Sequence, residues 1–174
     1  AQVAGVLGDA GIETVAVCFL NSYRNDENEA AAVEALRALL PGIPVSQSTA
    51  LVSERGEFER TSTCVLNAYL TPVMSGYLGT LTAALSDRGL SADVNIMGSN
   101  GGAMTIESAA KRVAGTFLSG PVGGVTGVCH VVSALDIDDC ITFDMGGTST
   151  DVALIHGREP RMSHDNQIDA YPLQ

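Results

Sequence analysis

Apolar positions along the chain change period several times, and each change marks an element. GIETVAVCFLNSY, residues 11–23, is a continuous apolar run with β-branched residues and reads as a strand. The next stretch, NDENEAAAVEALRALLPGIPV, repeats apolar residues at helical spacing through Ala32, Leu36, Leu39 and Leu40. Asn25 or Asp26 is placed to cap that helix, Pro41-Gly42 ends it near Leu40, and IPVSQS is a second short strand. Strand, helix, strand is the pattern of a parallel sheet covered by helices.

From Glu57 to about Arg88 apolar residues recur mostly three or four apart, at Leu66, Tyr69, Leu70, Val73, Tyr77, Leu81 and Leu85. This predicts one long helix, bent or broken at Pro72 and capped by Gly89. The stripe suits packing against its own domain, with a coiled-coil or dimer contact as the alternative. ADVNIMGSNGGAM is then a strand ending in a Gly-rich turn at Ser99–Gly102, and Thr105 caps the short helix IESAAKRV. That turn is open to two readings, a plain tight turn or a ligand loop in which Ser99, Asn100 and Gly101 approach substrate.

TFLSGPVGGVTGVCHVVSAL reads as a short strand followed by a helix opened by Gly120-Pro121. Gly123, Gly124 and Gly127 inside that helix each cost about 1 kcal/mol relative to Ala. A close approach by another element or a ligand would offset them, and Gly123 and Gly127 share one face. The last unit, ITFDMGGTSTDVALI, is two strands whose apolar flanks are expected to bury, joined by a polar turn.

Composition narrows the function classes. With 174 residues, 45% hydrophobic, and a mean hydropathy of +0.21, the chain has enough apolar material for a packed core. No apolar run approaches the length of a membrane span, and the opening residues lack the pattern of a signal peptide. A net charge of -11 repels phosphate backbones, so nucleic acid and acidic membrane are unfavourable partners. Cys18, Cys64, Cys129 and Cys140 lie far apart in apolar contexts and are expected to be buried, reduced thiols of a cytoplasmic protein. His130, His156 and His164 are scattered and read as surface positions. The absence of an initiator Met and the stop at AYPLQ lead to the expectation of a piece of a longer protein.

The polar turn holds the chemistry. Gly146 and Gly147 allow backbone conformations in which successive N–H groups point into one concavity and bind an anion. Thr148, Ser149 and Thr150 add hydroxyl donors, while Asp144 and Asp151 could hold Mg²⁺ through water or orient an attacking water. There is no Walker lysine, so a metal would have to supply the positive charge. The plainer alternative is a type I′ or related hairpin turn, weakened by two carboxylates that repel each other unless a cation or donor lies between them.

FDMGGTSTDVALI resembles the second phosphate motif of the actin-like ATPase superfamily, a hairpin that grips nucleotide phosphates. A helix of the SGPVGGVTGV kind precedes that hairpin in those families and crosses the hinge between two lobes, which makes Gly123 and Gly124 hinge candidates. Together with ERTSTCVLNAYLTPVMSGYL, IMGSNGGAMTIESAAKR and FLSGPVGGVTGV, in this order and spacing, the chain is similar to the hydantoinase A and 5-oxoprolinase family, which also includes subunits of acetone and acetophenone carboxylases. AVCFLNSYRNDENE resembles the end of that family's N-terminal region, so residues 1–52 are assigned to it and 53–174 to the start of an incomplete central ATPase-like domain.

The resemblance implies an α/β, RNase H-like (actin-like ATPase) partial lobe with a mixed sheet flanked by helices. It implies ATP and Mg²⁺ as cofactors, a cyclic amide substrate whose oxygen is phosphorylated before water opens the ring, and a second, hydantoinase B-type subunit. A ketone carboxylase subunit and a non-enzymatic nucleotide-binding protein are the alternatives. Residue by residue, Asp144 would handle Mg²⁺ or water, Gly146 and Gly147 would cradle β/γ-phosphates, Thr148 to Thr150 would donate to phosphate oxygens, and Asp151 would support the metal or the turn. The family's first phosphate motif and its adenosine-binding Gly-rich motif do not occur in these residues, which predicts weak or no ATPase activity for this chain alone.

Overall fold

The computed structural model describes residues 2–161, 166–168 and 171–173. The expectation for His164 lies outside the described residues. The chain forms two compact units, one of residues 1–94, 106–114 and 165–174, the other of residues 95–105 and 115–164.

In the first unit α1 (Gln2–Asp9) leads to β1 (Val15–Val17), α2 (Glu27–Leu39), β2 (Val45–Gln47) and α3 (Ser48–Leu51). β1 and β2 pair in parallel with Val15 opposite Val45, as the strand-helix-strand pattern predicts. Val17, Val33 and Val45 form the buried core, with Val15, Ala32 and Leu36 packed against it. Asn25 Oδ1 accepts the Glu27 N–H at 2.9 Å, satisfying a donor of the first helical turn, while Asp26 makes no side-chain cap.

β1 uses only three residues of the long apolar run, because residues 18–24 leave the strand to be pinned by side chains of two helices. Glu29 of α2 is completely buried. It accepts the Phe19 N–H at 2.7 Å, the Thr49 N–H at 3.0 Å, and the hydroxyls of Ser48 and Thr49 at 3.0 and 2.9 Å. Burial pushes its carboxyl up, but the Thr49 and Phe19 amides with the neighbouring hydroxyls more than offset this and hold it below the usual range.

α4 (Glu57–Asp87) runs through Pro72 without the expected break. It ends as predicted: Gly89, at φ +80°, gives its N–H to Ser86 O while the Leu90 N–H reaches Leu85 O, closing a Schellman motif. The predicted stripe is not its inner face, since Tyr69, Val73 and Tyr77 are exposed while Arg60, Thr63, Cys64, Asn67, Ala68, Thr71 and Leu78 are buried. The reason is what α4 meets, namely carbonyls and amides of strands and loops. Arg60 Nη2 donates to Phe19 O at 2.7 Å; Asn67 donates to Ser46 Oγ and Lys111 O and accepts the Ala114 N–H at 3.0 Å. A face opposed by backbone polar groups must itself be polar.

The second unit begins with β3 (Asn95–Met97) and β4 (Ala103–Thr105), an antiparallel hairpin. The chain then returns to the first unit as α5 (Ile106–Lys111), and a 3₁₀ turn (Val113–Thr116) and no strand precedes α6, where a short strand was expected. α6 (Ser119–Ala134) begins after Leu118, at φ +55°, so Pro121 is its third residue and not its first. Either place is tolerated, because first-turn N–H groups have no acceptor within the helix. β5 (Cys140–Met145), β6 (Thr150–His156) and β7 (Glu159–Pro160) form an antiparallel sheet, and β8 (Asn166–Ile168) pairs with β9 (Tyr171–Leu173) in the first unit. The fold is α/β, but parallel and antiparallel pairs occupy separate small sheets among the described residues, where one mixed sheet was expected.

The apolar flanks of the β5–β6 hairpin are not buried. Ile141, Phe143, Met145, Val152 and Leu154 share one face, and Phe143 is 67% exposed. The other face carries Thr142, Asp144, Asp151 and Ala153 toward α6, where Asp144 approaches Gly124. Among the described residues only that second face is covered. Of the four free cysteines, Cys64 alone is buried; Cys18, Cys129 and Cys140 are half-buried.

Glu29→Gln leaves amide donors of residues 19 and 49 facing a neutral group and is expected to destabilise the fold by about 1–3 kcal/mol. Because the folded carboxyl titrates below its unfolded counterpart, its contribution is complete above about pH 4.3 and is lost as pH falls through the lower folded value. Denaturant melts of parent and variant between neutral and acidic pH check this: the difference between them shrinks on acidification.

Candidate functional site

The β5–β6 hairpin sets the geometry. Its register puts Asp144 directly opposite Asp151 and Met145 opposite Thr150, leaving Gly146, Gly147, Thr148 and Ser149 as a four-residue connection. The connection is closed by a hydrogen bond from the Gly146 N–H to Ser149 O at 3.0 Å. Neither Gly146 nor Gly147 lies in the left-handed region, which removes both the expected glycine-only backbone and a type I′ turn. What these glycines supply is bareness: a Cβ at Gly147 would meet nothing within 4 Å, so the main chain at the tip is open to a ligand.

Asp144 is exposed and Asp151 half-buried, and neither makes an ion pair or hydrogen bond among the described residues. Like charges directly across a strand pair destabilise it, so this pair favours a cation between its members. No group of three or more His, Cys, Asp or Glu side chains that could hold a metal occurs among the described residues. The donor set beside the two carboxylates is all oxygen, with the hydroxyls of Thr148 and Ser149 in the connection, which suits a hard cation that keeps its waters, while Thr150, opposite Met145, lies on the other face of the hairpin. Those three hydroxyls also make no hydrogen bond among the described residues and remain available as donors.

α6 forms the opposite wall. A hollow of about 560 Å³ lies between it and the hairpin, bounded by Leu118, Pro121, Val125 and Val128 on the helix side and by Asp144 and Asp151 on the strand side. No helix glycine is required by a close approach among the described residues. A Cβ at Gly123 would lie 3.7 Å from the Met97 side chain and one at Gly124 3.9 Å from Asp144 Oδ2, both ordinary contacts, and Gly127 has open space, so the expected close approach at Gly123 and Gly127 is not found there.

Ser99, Asn100 and Gly101 sit in the turn between β3 and β4, and their polar groups are used within it. Asn100 Oδ1 accepts the Gly102 N–H at 3.0 Å, and both the N–H and hydroxyl of Ser99 donate to Gly115 O, at 2.8 and 3.2 Å. Gly101 stands at φ +78°, and a Cβ there would come within 2.8 Å of Thr126 Oγ1 on α6. The turn is thus seated on the helix. Thr126, and Thr142 whose hydroxyl accepts the Ala153 N–H at 3.1 Å, are structural members of the site that sequence reasoning missed. The spacing of 118, 121, 125 and 128 was the available signal for the α6 wall.

The far end of the hairpin is clamped by charge. Arg158 binds Asp138 at 2.8 Å and Asp136 at 2.9 Å. Asp139 is held below the usual carboxylate range by the Gly157 N–H and then by His156, whose Nδ1 is 2.7 Å away.

Two glycine substitutions separate seat from open space. Gly101→Ala adds a left-handed strain and a clash with Thr126 and is expected to lower stability by about 1–3 kcal/mol. Gly127→Ala meets nothing and should raise stability by up to about 1 kcal/mol through helix propensity. Thermal melts of the two variants check the opposite signs.

The sequence profile of the hydantoinase/oxoprolinase family matches residues 60–174. Caprolactamase subunit alpha of Pseudomonas jessenii is 35% identical over 93% of the chain and 23% of its own length. The crystal structure of the ATP-dependent caprolactamase from that organism superposes with a TM-score of 0.80 at 33% identity, over 88% of this chain and 22% of that one. A nucleotide-free structure of acetone carboxylase gives a TM-score of 0.78 at 31% identity over 99% of this chain and 24% of that one. 5-Oxoprolinase 1 of Arabidopsis thaliana is 38% identical over 86% of the chain and 12% of its own length. The chain therefore spans a quarter or less of the length of these relatives. Its sequence and its fold agree on one conclusion: the chain belongs to the hydantoinase/oxoprolinase family.

Proposed function

We propose that this chain contributes one side of an ATP site in an enzyme that activates a cyclic amide, a lactam or hydantoin, for ring opening. The observation that carries the reading is the Asp144–Asp151 pair, two unneutralised carboxylates facing each other beside a bare glycine backbone and three free hydroxyls. Relatives named caprolactamase and 5-oxoprolinase support the substrate class. The fold is read as part of an RNase H-like, actin-like ATPase lobe. Residues 1–52 are read as the end of the family's N-terminal region and 53–174 as the start of its central domain.

In this mechanism the residues of the tip bind and orient. The Gly146 and Gly147 backbone admits the β/γ-phosphates closely, and Thr148, Ser149 and Thr150 donate to their oxygens. Asp144 and Asp151 would hold Mg²⁺, which neutralises phosphate charge when bound. Asp144 is also placed to orient a water. Such a site works by positioning and charge stabilisation. The first phosphate motif and the adenosine pocket have to come from residues outside these 174, in the same polypeptide or another subunit. A second, hydantoinase B-type subunit and a cytoplasmic location complete the reading.

A second reading, a subunit of an ATP-dependent ketone carboxylase, is favoured by one specific observation, the likeness to acetone carboxylase over 99% of the chain. Phosphate release from ATP by the assembled enzyme, measured with lactams, hydantoins and ketones, decides between them. Release stimulated by a lactam or hydantoin and coupled to ring opening is expected; stimulation only by ketone with bicarbonate selects the second reading. Asp144→Asn should lower the stimulated rate on the order of 10²-fold or more. The 174-residue chain alone should show no turnover, and turnover by it that Asp144→Ala abolishes would refute the one-sided site.

A further inference from the structure

We infer that a second hollow, in the first unit, is a binding site for the oxyanion of a small molecule, a carboxylate or a phosphate. It measures about 760 Å³, a size typical of metabolite sites, and lies between α2, β2, α3, α4 and α5. Arg37, Lys111 and Arg112 line it against a single carboxylate, Glu107. Those are three of only nine basic residues in a chain that carries 20 acidic ones.

Convergence on one hollow is the argument. Lys111 is paired, 2.7 Å from Glu107. Arg37 and Arg112 have no ion pair among the described residues. Each is instead anchored by one hydrogen bond to a backbone carbonyl, Arg37 Nη2 to Val45 O at 3.1 Å and Arg112 Nη2 to Leu51 O at 3.3 Å. One anchoring bond restrains a guanidinium while its remaining donors stay free for a planar anion, which this group holds in a two-bond fork. The floor is already satisfied. Buried Asn67 uses its amide on Ser46, Lys111 and Ala114, and Thr71 donates to Asn67 O at 2.7 Å, so bound ligand need not rescue any floor group. Recognition therefore falls to the two arginines, with Ser75 at the rim.

This site is independent of the hairpin reading and stands if that reading fails. Amide chemical shifts of the 174-residue chain are followed during titration with inorganic phosphate and, separately, with succinate. Saturable shifts at residues 45–51 and 107–112 with either anion are expected, and which anion saturates first assigns the ligand chemistry. Arg37→Gln and Arg112→Gln should each weaken binding about tenfold or more, Arg37→Lys should weaken it less, and Ser75→Asp should abolish it by placing a negative charge at the rim. Arg24→Gln, a loss of the same charge outside the hollow, should leave the affinity within about twofold. No saturable shift with either anion, or equal weakening by Arg24→Gln and Arg112→Gln, overturns the inference. So does undiminished binding by Ser75→Asp.

Discussion

The first unit depends on a carboxylate that has no water around it. Glu29 is buried on α2, and a buried charge is tolerable only when donors replace the solvent it has lost. Its donors come from Phe19 at the end of β1 and from Ser48 and Thr49 at the start of α3. One side chain therefore fixes where the first strand ends, how the following loop turns, and where the chain leaves β2. Arg60 completes the loop from the other side through Phe19 O, with Tyr23 under its guanidinium at 5.9 Å. Its Nε and Nη1 have no partner among the described residues. The hydrophobic core of Val17, Val33 and Val45 is small, and these polar contacts position the elements around it.

That dependence explains which parts of the fold were legible. The strand-helix-strand unit could be read because Ala32, Leu36 and Leu40 turn inward at helical spacing, although Leu39 of the same pattern is exposed and the most buried residue of its core, Val33, was not part of it. The Schellman end of α4 could be read because Gly89 is required there by its positive φ. The inner face of α4 could not, since Arg60, Thr63, Asn67 and Thr71 match backbone carbonyls and amides, and a hydrophobic pattern carries no trace of such a match. Tyr69, Val73 and Tyr77 then supplied an apolar stripe that points to solvent. In the hairpin the alternation was legible and the side that buries was not. Period two fixes that Phe143 and Asp144 face opposite ways, but nothing in an alternating pattern says which of the two faces meets α6.

That Asp144 and Asp151 come together across one turn was legible for a related reason. Asp144, Asp151 and the intervening glycines and hydroxyls make a poor ordinary hairpin, and local inconsistency of that kind is where sequences record function. The backbone reason offered for the glycines was wrong in detail, because neither adopts a left-handed φ. Their use is steric, leaving the tip uncovered. Ser99 to Gly101 illustrate the opposite case. A turn of equal glycine content spends its polar groups on Gly102 and Gly115 and seats itself on Thr126, so similar composition serves packing there.

Charge limits what the hairpin can do unaided. In residues 95–105 and 115–164 the only Lys or Arg side chains are Arg158 and Arg161, and Arg158 is already committed to Asp136 and Asp138. A polyphosphate brought to the hairpin tip would meet the carboxylates of Asp144 and Asp151, and the one guanidinium of this unit outside those ion pairs is that of Arg161. Neutral donors such as Thr148 to Thr150 orient phosphate oxygens without cancelling their charge. On the proposed reading the balance requires a divalent cation held by Asp144 and Asp151, since the same pair that repels phosphate when empty attracts it once a metal lies between. An arginine or lysine from outside this unit would relieve the same repulsion only by reaching between the two aspartates, whereas a hydrated divalent cation can lie between them and phosphate oxygens at once.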